Sequence, residues 1–276
     1  MSDVEGVRAH LDEHGFACIR GCACAAQLQR ARGLLWDHLE GRDQPGLRTS
    51  RPLGWRRGDP ATWRPYPGTG GGPQPGHSEA GLMTSTTHCD ALWYIRSLPG
   101  VLAGFACAFG IGTPDLVCSF DRMSINVPTS SAHPAAEARA QRRYRHGKLD
   151  MQEMHNHLNR NPFAEPIFYG LLSLWDMNKA VGATALVPGS HRRHDAIKAA
   201  RAEKWRDGEW VGGGLPAEDL ESFTASGLTP SVLDVKAGDL VVVDSATYHC
   251  GCSVIPPPPP PTHSPLPILS AIQAEV

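Results

Sequence analysis

The chain is 276 residues long, carries 26 Lys and Arg against 28 Asp and Glu for a formal net charge of -2, and is 41% hydrophobic. Such a length fits one large domain with a sizeable core, and so even a charge balance leaves no basic footprint for nucleic acid or an anionic membrane. A small molecule is therefore the expected substrate, with neither nucleic acid nor membrane as a partner.

Residues 3 to 14 predict a short amphipathic helix, with Val4, Val7 and Leu11 on one face and His14-Gly15 as its stop. Phe16 to Ile19 reads as a strand, and Ala25 to Leu39 as a second helix with leucines at near-helical spacing. From 41 to 81 the chain is rich in Gly, Pro, Arg and Trp and reads as a long loop insertion. Its glycines make no phosphate loop, because no Gly-Lys-Ser/Thr ending follows. Thr87 to Gly110 is expected to be helical with a break at Pro99. Asp115 to Val127 is expected to be a strand, with Arg122, Ser124 and Asn126 on one face and Met123 and Ile125 on the other.

Residues 129 to 147 form a basic connection, and Ile167 to Trp175 and Gly182 to Val187 read as buried strands joined by a turn. After the Pro188-Gly189-Ser190 turn come a helix from Asp195 to Trp205 and a loop from Gly212 to Pro230. Val232 to Val235 and Leu240 to Val243 are the last clear strands. Pro256 to Pro261 is an unbroken proline run, extended and unable to pair inside a sheet. Such tracts dock on SH3- or WW-type domains, so a proline-tract-binding partner is an expectation. Ile268 to Ile272 is a candidate return strand, and the organisation expected is one domain over 1–255 with a proline-rich tail over 256–276.

Eight cysteines show no finger-type spacing, since Cys22/Cys24 and Cys250/Cys252 are C-x-C pairs without a matching partner pair. They read as reduced thiols of an intracellular protein. Residues 1–6 lack the basic-then-apolar pattern of a secretory leader, so a cytoplasmic location is expected, with an organelle left open. The metal-ligating residue types gather in His146, Asp150, His155, His157 and His191, with His249 just beyond the last strand. Segments far apart in sequence that each bring a His or carboxylate near a strand end predict a mononuclear metal site in a β-barrel-like fold. A 2-His-1-carboxylate set with open positions is the usual arrangement for non-haem Fe(II) oxygenases. Asp239 and Asp244 are expected to hold turn and strand-end hydrogen bonds.

His14-Gly15-Phe16, the strand from Asp121 to Asn126, Gly170 to Met177, Gly182-Ala-Thr-Ala-Leu-Val-Pro-Gly-Ser-His191, and Ala237-Gly-Asp239 with His249 together resemble the phytanoyl-CoA dioxygenase-like family of Fe(II)- and 2-oxoglutarate-dependent oxygenases. The resemblance implies a mainly β fold with flanking helices, a double-stranded β-helix of the jelly-roll or cupin type, with Fe(II) at its mouth and 2-oxoglutarate as co-substrate. The family's His-x-Asp motif has two placements here. Lys148-Leu149-Asp150 keeps the carboxylate, and His155-Asn156-His157 keeps the first histidine, which is the placement favoured; His249 is the distal ligand in both. The metal candidates are thus His249, His155, His157 and Asp150. The family also places an arginine beyond the distal histidine for the far carboxylate of 2-oxoglutarate, whereas no Arg or Lys follows His249. Arg122, Asn126 and Ser270 are the substitute co-substrate contacts, and Arg122, Asn126 and Trp175 the expected cavity wall. The implied activity is hydroxylation of a small organic substrate. Two other readings stay open: a degenerate jelly roll acting as a binding or scaffold protein, and a metal-dependent oxygenase that does not use 2-oxoglutarate.

Overall fold

A computed structural model describes residues 4–42, 56–59, 82–83, 88–118, 123–124, 167–178, 183–196, 217–251 and 272–275. The first helix, α1 (Val4–His14), ends where Gly15 takes φ +77° and its N–H bonds to Leu11 O at 2.7 Å. Strand β1 (Phe16–Ile19) follows at once. Helix α2 (Ala25–Leu39) is started by Cys24, whose backbone N–H is accepted by the Gln27 side chain at 2.9 Å. These three elements have the bounds their patterns predict, to within a residue. Pro99 ends one helix and starts the next: α3 (Asp90–Arg96) and α4 (Pro99–Phe109) meet at 55°. Proline suits the first turn of a helix, where its missing N–H costs nothing. Among the described residues no single helix is long and apolar enough to cross a membrane.

The strands are β2 (Leu82–Met83), β3 (Met123–Ser124), β4 (Phe168–Leu172), β5 (Thr184–Leu186), β6 (Ser231–Val232), β7 (Leu240–Asp244), β8 (His249–Gly251) and β9 (Ile272–Glu275). They form a six-stranded sheet, β1-β7-β4-β9-β3-β2, and a three-stranded sheet, β6-β5-β8, and all their pairings are antiparallel. The last strand thus lies inside the larger sheet, between β4 and β3, and begins where the predicted one was expected to end.

The two-residue period of each strand divides its side chains between two layers. Ala17, Ile19, Phe168, Leu172, Leu240 and Val242 pack against Leu11, Leu28, Leu35, Leu92, Val101 and Phe105 of the four helices. Tyr169, Leu171, Val241 and Val243 take the opposite face and meet Leu186, Met177, Leu233 and Val235 from the smaller sheet and its flanks. The smaller sheet's outer face, Ala185 and Cys250 with Val187 and Tyr248, is covered by Phe223 of α5 (Ala217–Ala225). The order is therefore helices, large sheet, small sheet, one helix.

Three expectations need correction. Helix α5 occupies what reads as a loop from 212 to 230: flanking glycines and Pro216 mask a nine-residue helix, which closes with Gly227 N–H on Thr224 O and Leu228 N–H on Phe223 O at 3.0 and 2.9 Å. Residues 113–115 form a 3-10 turn, so the predicted strand from Asp115 does not begin there, and only Met123–Ser124 of it is described as strand. Among the described residues helical positions outnumber strand positions, so the described part is not mainly β.

The Lys236-Ala-Gly-Asp239 turn before β7 is tied on two sides. Gly238 takes φ +94°, its N–H bonds to Ser173 O at 2.8 Å, and its carbonyl accepts Ala23 N–H at 3.0 Å. A Cβ there would stand 2.4 Å from Ala23 O, a backbone atom. Buried Asp239 accepts the N–H groups of Gly21 and Lys236 at 2.9 and 3.1 Å and pairs with Arg20. Gly238→Ala combines a strained φ with a backbone clash and is expected to lower stability by about 1–3 kcal/mol, measured by urea denaturation.

Candidate functional site

His249 opens β8 opposite Leu186 of β5 and is 4% exposed. Because Tyr248 and Cys250 face α5, the intervening imidazole faces the layer between the sheets. There it lies against Tyr169, with ring centroids 4.9 Å apart and planes tilted by 43°. Its Nδ1–H donates to Thr247 O at 2.9 Å. A carbonyl can only accept, so the hydrogen of the neutral ring is held on Nδ1 and the lone pair is directed from Nε2. Metal-ligating histidines are oriented in this way by the bond their other nitrogen makes.

The turn carrying His249 is fixed by three segments. Thr247 is fully buried; its hydroxyl donates to Gly15 O at 2.8 Å, and its N–H to Asp244 O at 2.9 Å. Asp244 N–H donates to the same Gly15 carbonyl at 2.9 Å, and the Asp244 carboxylate accepts Ala246 N–H at 2.8 Å. From the other side, buried Ser190 accepts Tyr248 N–H on its hydroxyl at 2.9 Å, while Val187 N–H donates to Tyr248 O at 2.9 Å. Gly189 N–H closes the set on His14 O at 2.8 Å. The room for this convergence exists because residue 15 is glycine: a Cβ there would lie 2.2 Å from Thr247 Oγ1 and 2.5 Å from His191 Nδ1.

The other expected residues divide. His155, His157, Asp150, Arg122, Asn126 and Ser270 lie outside the described residues, as do His146 and Lys148. His191 is half-buried and donates from Nε2 to Asp12 O at 3.2 Å, which gives it a packing role. Trp175, expected on the cavity wall, is on the wrong face: it packs in the helical layer with Arg32 stacked on it at 4.8 Å, and Arg32 bonds to Leu174 O. Tyr169 was missed. Its signal was a phenol in an otherwise apolar run, one strand residue from Gly170 and so on the other face from Phe168. Asp239 and Asp244 hold turns, as expected. Two thiols are held protonated at neutral pH: burial raises Cys18 and pushes Cys22 up to about 11.

Among the described residues no group of three His, Cys, Asp or Glu side chains could hold a metal. A cleft of about 290 Å³ opens between the end of α1, the 188–193 turn and Ser226 to Leu228, but His249 does not line it. The fit to Fe(II) therefore rests on His249: with Nδ1 bonded to Thr247 O, the buried ring in its neutral form would present Nε2 as the donor such a metal needs.

Burial is the main effect that raises the Asp244 carboxyl above its ordinary value, against the Ala246 N–H bond that lowers it. A raised folded pKa means the native state holds its proton to higher pH than the unfolded chain. The contribution is most favourable below the unfolded value and is lost as pH rises through the folded one. Asp244→Asn can keep the acceptor for Ala246 and remove the charge, so melting temperatures from about pH 3 to about pH 7 should show wild type losing ground to this variant as pH rises. Ser190→Ala strands the buried Tyr248 N–H and is expected to cost about 1–3 kcal/mol, read by the same melts.

Residues 125–252 match the family model described as Phytanoyl-CoA dioxygenase (PhyH). A search of curated proteins found no match. Among solved structures, the non-haem alpha-ketoglutarate-dependent carbocyclase SnoK from nogalamycin biosynthesis is similar over 100% of this chain and 83% of its own, at 14% identity and TM-score 0.52. EvdO2 from Micromonospora carbonacea var. aurantiaca, complexed with 2-oxoglutarate, is similar over 98% of this chain and 88% of its own, at 12% identity and TM-score 0.51. The nickel complex of the non-haem monooxygenase ThoJ covers 98% and 75%, at 11% and 0.50. These likenesses speak to the fold, and the family match covers the Pro-Gly-Ser-His turn and His249. Residues 125–252 are thus similar to the phytanoyl-CoA dioxygenase family, and the likeness of the whole chain to the solved structures is one of fold.

Proposed function

We propose that the protein is an Fe(II)- and 2-oxoglutarate-dependent oxygenase that hydroxylates a small organic substrate, and that its two sheets are the halves of a double-stranded β-helix. The observation that carries this reading is His249: a buried imidazole, facing the layer between two antiparallel sheets, with its hydrogen held on Nδ1 by the Thr247 carbonyl. The family match and the fold shared with 2-oxoglutarate-bound EvdO2 support it.

His249 would hold the metal with His155 and His157, the alternative being Asp150 in place of the His-x-His pair. When bound, the Fe(II) and 2-oxoglutarate supply the oxidation of a C–H bond with O2. The chain's part is to orient and to exclude water. Tyr169 and Leu186 cover the imidazole, and Val241, Val243 and Leu171 give the layer an apolar lining. Arg122 is the candidate for the far carboxylate, with Asn126 and Ser270 as further polar contacts.

Anaerobic titration with Fe(II) and then 2-oxoglutarate tests the proposal through the weak visible absorption of the metal chelate. The band is expected in wild type and absent in His249→Ala. Metal uptake without the band would point to an oxygenase that does not use 2-oxoglutarate. No metal uptake at all would leave a binding domain that kept the fold, the reading that the lack of Lys or Arg after His249 favours.

A further inference from the structure

The end of α1 carries a pair of histidines that the layer between the sheets does not use. His10 and His14 are four residues apart within the helix Val4–His14, a spacing that sets two side chains on one face, one above the other. Their rings stand 4.3 Å apart between centroids, with planes tilted by 57°. His10 is exposed and His14 half-buried, so a solvated ion can reach both. Each ring is also held by a second neighbour. His10 meets the Phe16 ring edge-on at 5.3 Å, and His14 Nε2 stands 3.7 Å from the Glu13 carboxylate. Two imidazoles kept together by their surroundings have less freedom to lose when they take a common ion.

The donors select the ion. Imidazole suits Zn(II), Cu(II) and Ni(II), whereas Ca(II) and Mg(II) take oxygen ligands. Charge does not decide the matter: Glu13 is opposed by Arg192 and Arg193, which line the same cleft as His14, and Arg192 is committed to Asp12 O at 2.8 Å. The C-terminus of the helix adds the negative end of its dipole, which favours a cation. His10-Leu11-Asp12-Glu13-His14 has the His-x-x-Glu-His pattern of helical zinc motifs, in which these two histidines are ligands. Such motifs draw a third ligand from elsewhere in the chain. Among the described residues no third His, Cys, Asp or Glu completes a set, so the other positions of the ion fall to water.

We propose that His10 and His14 form a surface chelate for a late first-row divalent ion, Cu(II) or Zn(II), separate from the His249 site. The ion ties residues 10 and 14 across the last turn of α1, directly before Gly15. This site goes beyond the oxygenase reading and stands without it.

The test is equilibrium dialysis against Cu(II) and against Zn(II), on full-length wild type and His249→Ala. Each is studied alone, with His10→Ala, and with Ala9→His and His10→Ala together. The last combination keeps the number of imidazoles but sets them five residues apart on different faces of the helix. Ala9 and His10 are both exposed, and metal-free melts confirm folding. In both backgrounds His10→Ala should remove one bound ion per chain, the affinity of that site falling at least about 100-fold once the second imidazole is gone. Ala9→His should not restore it, and His249→Ala alone should keep it. Uptake unchanged by His10→Ala overturns the proposal. So does uptake recovered by Ala9→His, because the spacing would then not matter, and so does loss of this ion in His249→Ala, which would make the two sites one.

Discussion

The Gly15 carbonyl is the point on which the site depends. It accepts both the Thr247 hydroxyl and the Asp244 N–H, and so pins the two ends of the turn between β7 and β8 to the junction of α1 and β1. Gly15 can sit there only because its φ of +77° and missing Cβ leave room for Thr247 and His191. The same junction receives the Pro-Gly-Ser turn through His14 O and Gly189 N–H. Three segments, the first of them well over a hundred residues from the other two, are thereby held together, and the direction of one imidazole is the result. Each bond is worth about 1 kcal/mol net; their value lies in being made by buried groups that have no water to turn to.

The large sheet works because its central strands have two apolar faces. In β7 all of Leu240, Val241, Val242 and Val243 are buried, the even members under helices and the odd members toward the small sheet. A strand that is apolar on both sides carries no pattern saying which side is which. The polar exceptions carry it instead: Tyr169 on β4 and His249 on β8 both fall in the inter-sheet layer, and Trp175 and Arg32 fall outside it. The turns at the far end are held by charge. Asp176 accepts Ala237 N–H and Lys236, and those bonds, the backbone one foremost, hold its carboxyl below the ordinary range.

Much of this was legible in the sequence where local pattern and tertiary packing agree. Strand Phe16–Ile19, helix Ala25–Leu39, the Pro99 break and the Ala-Gly-Asp turn all announce themselves through capping, spacing or turn chemistry, and the structure repeats them. His249 was legible as well, since a histidine following a buried strand and a polar turn is an unusual combination. Where packing alone decides, the reading failed. Trp175 looks like a wall residue until the sheet's faces are known. Helix α5 is hidden between glycines because its existence depends on Phe223 finding the outer face of the small sheet, a contact with Tyr248 at 5.2 Å that no local pattern encodes. The last strand could be suspected, but not its position between β4 and β3, which is a matter of long-range register.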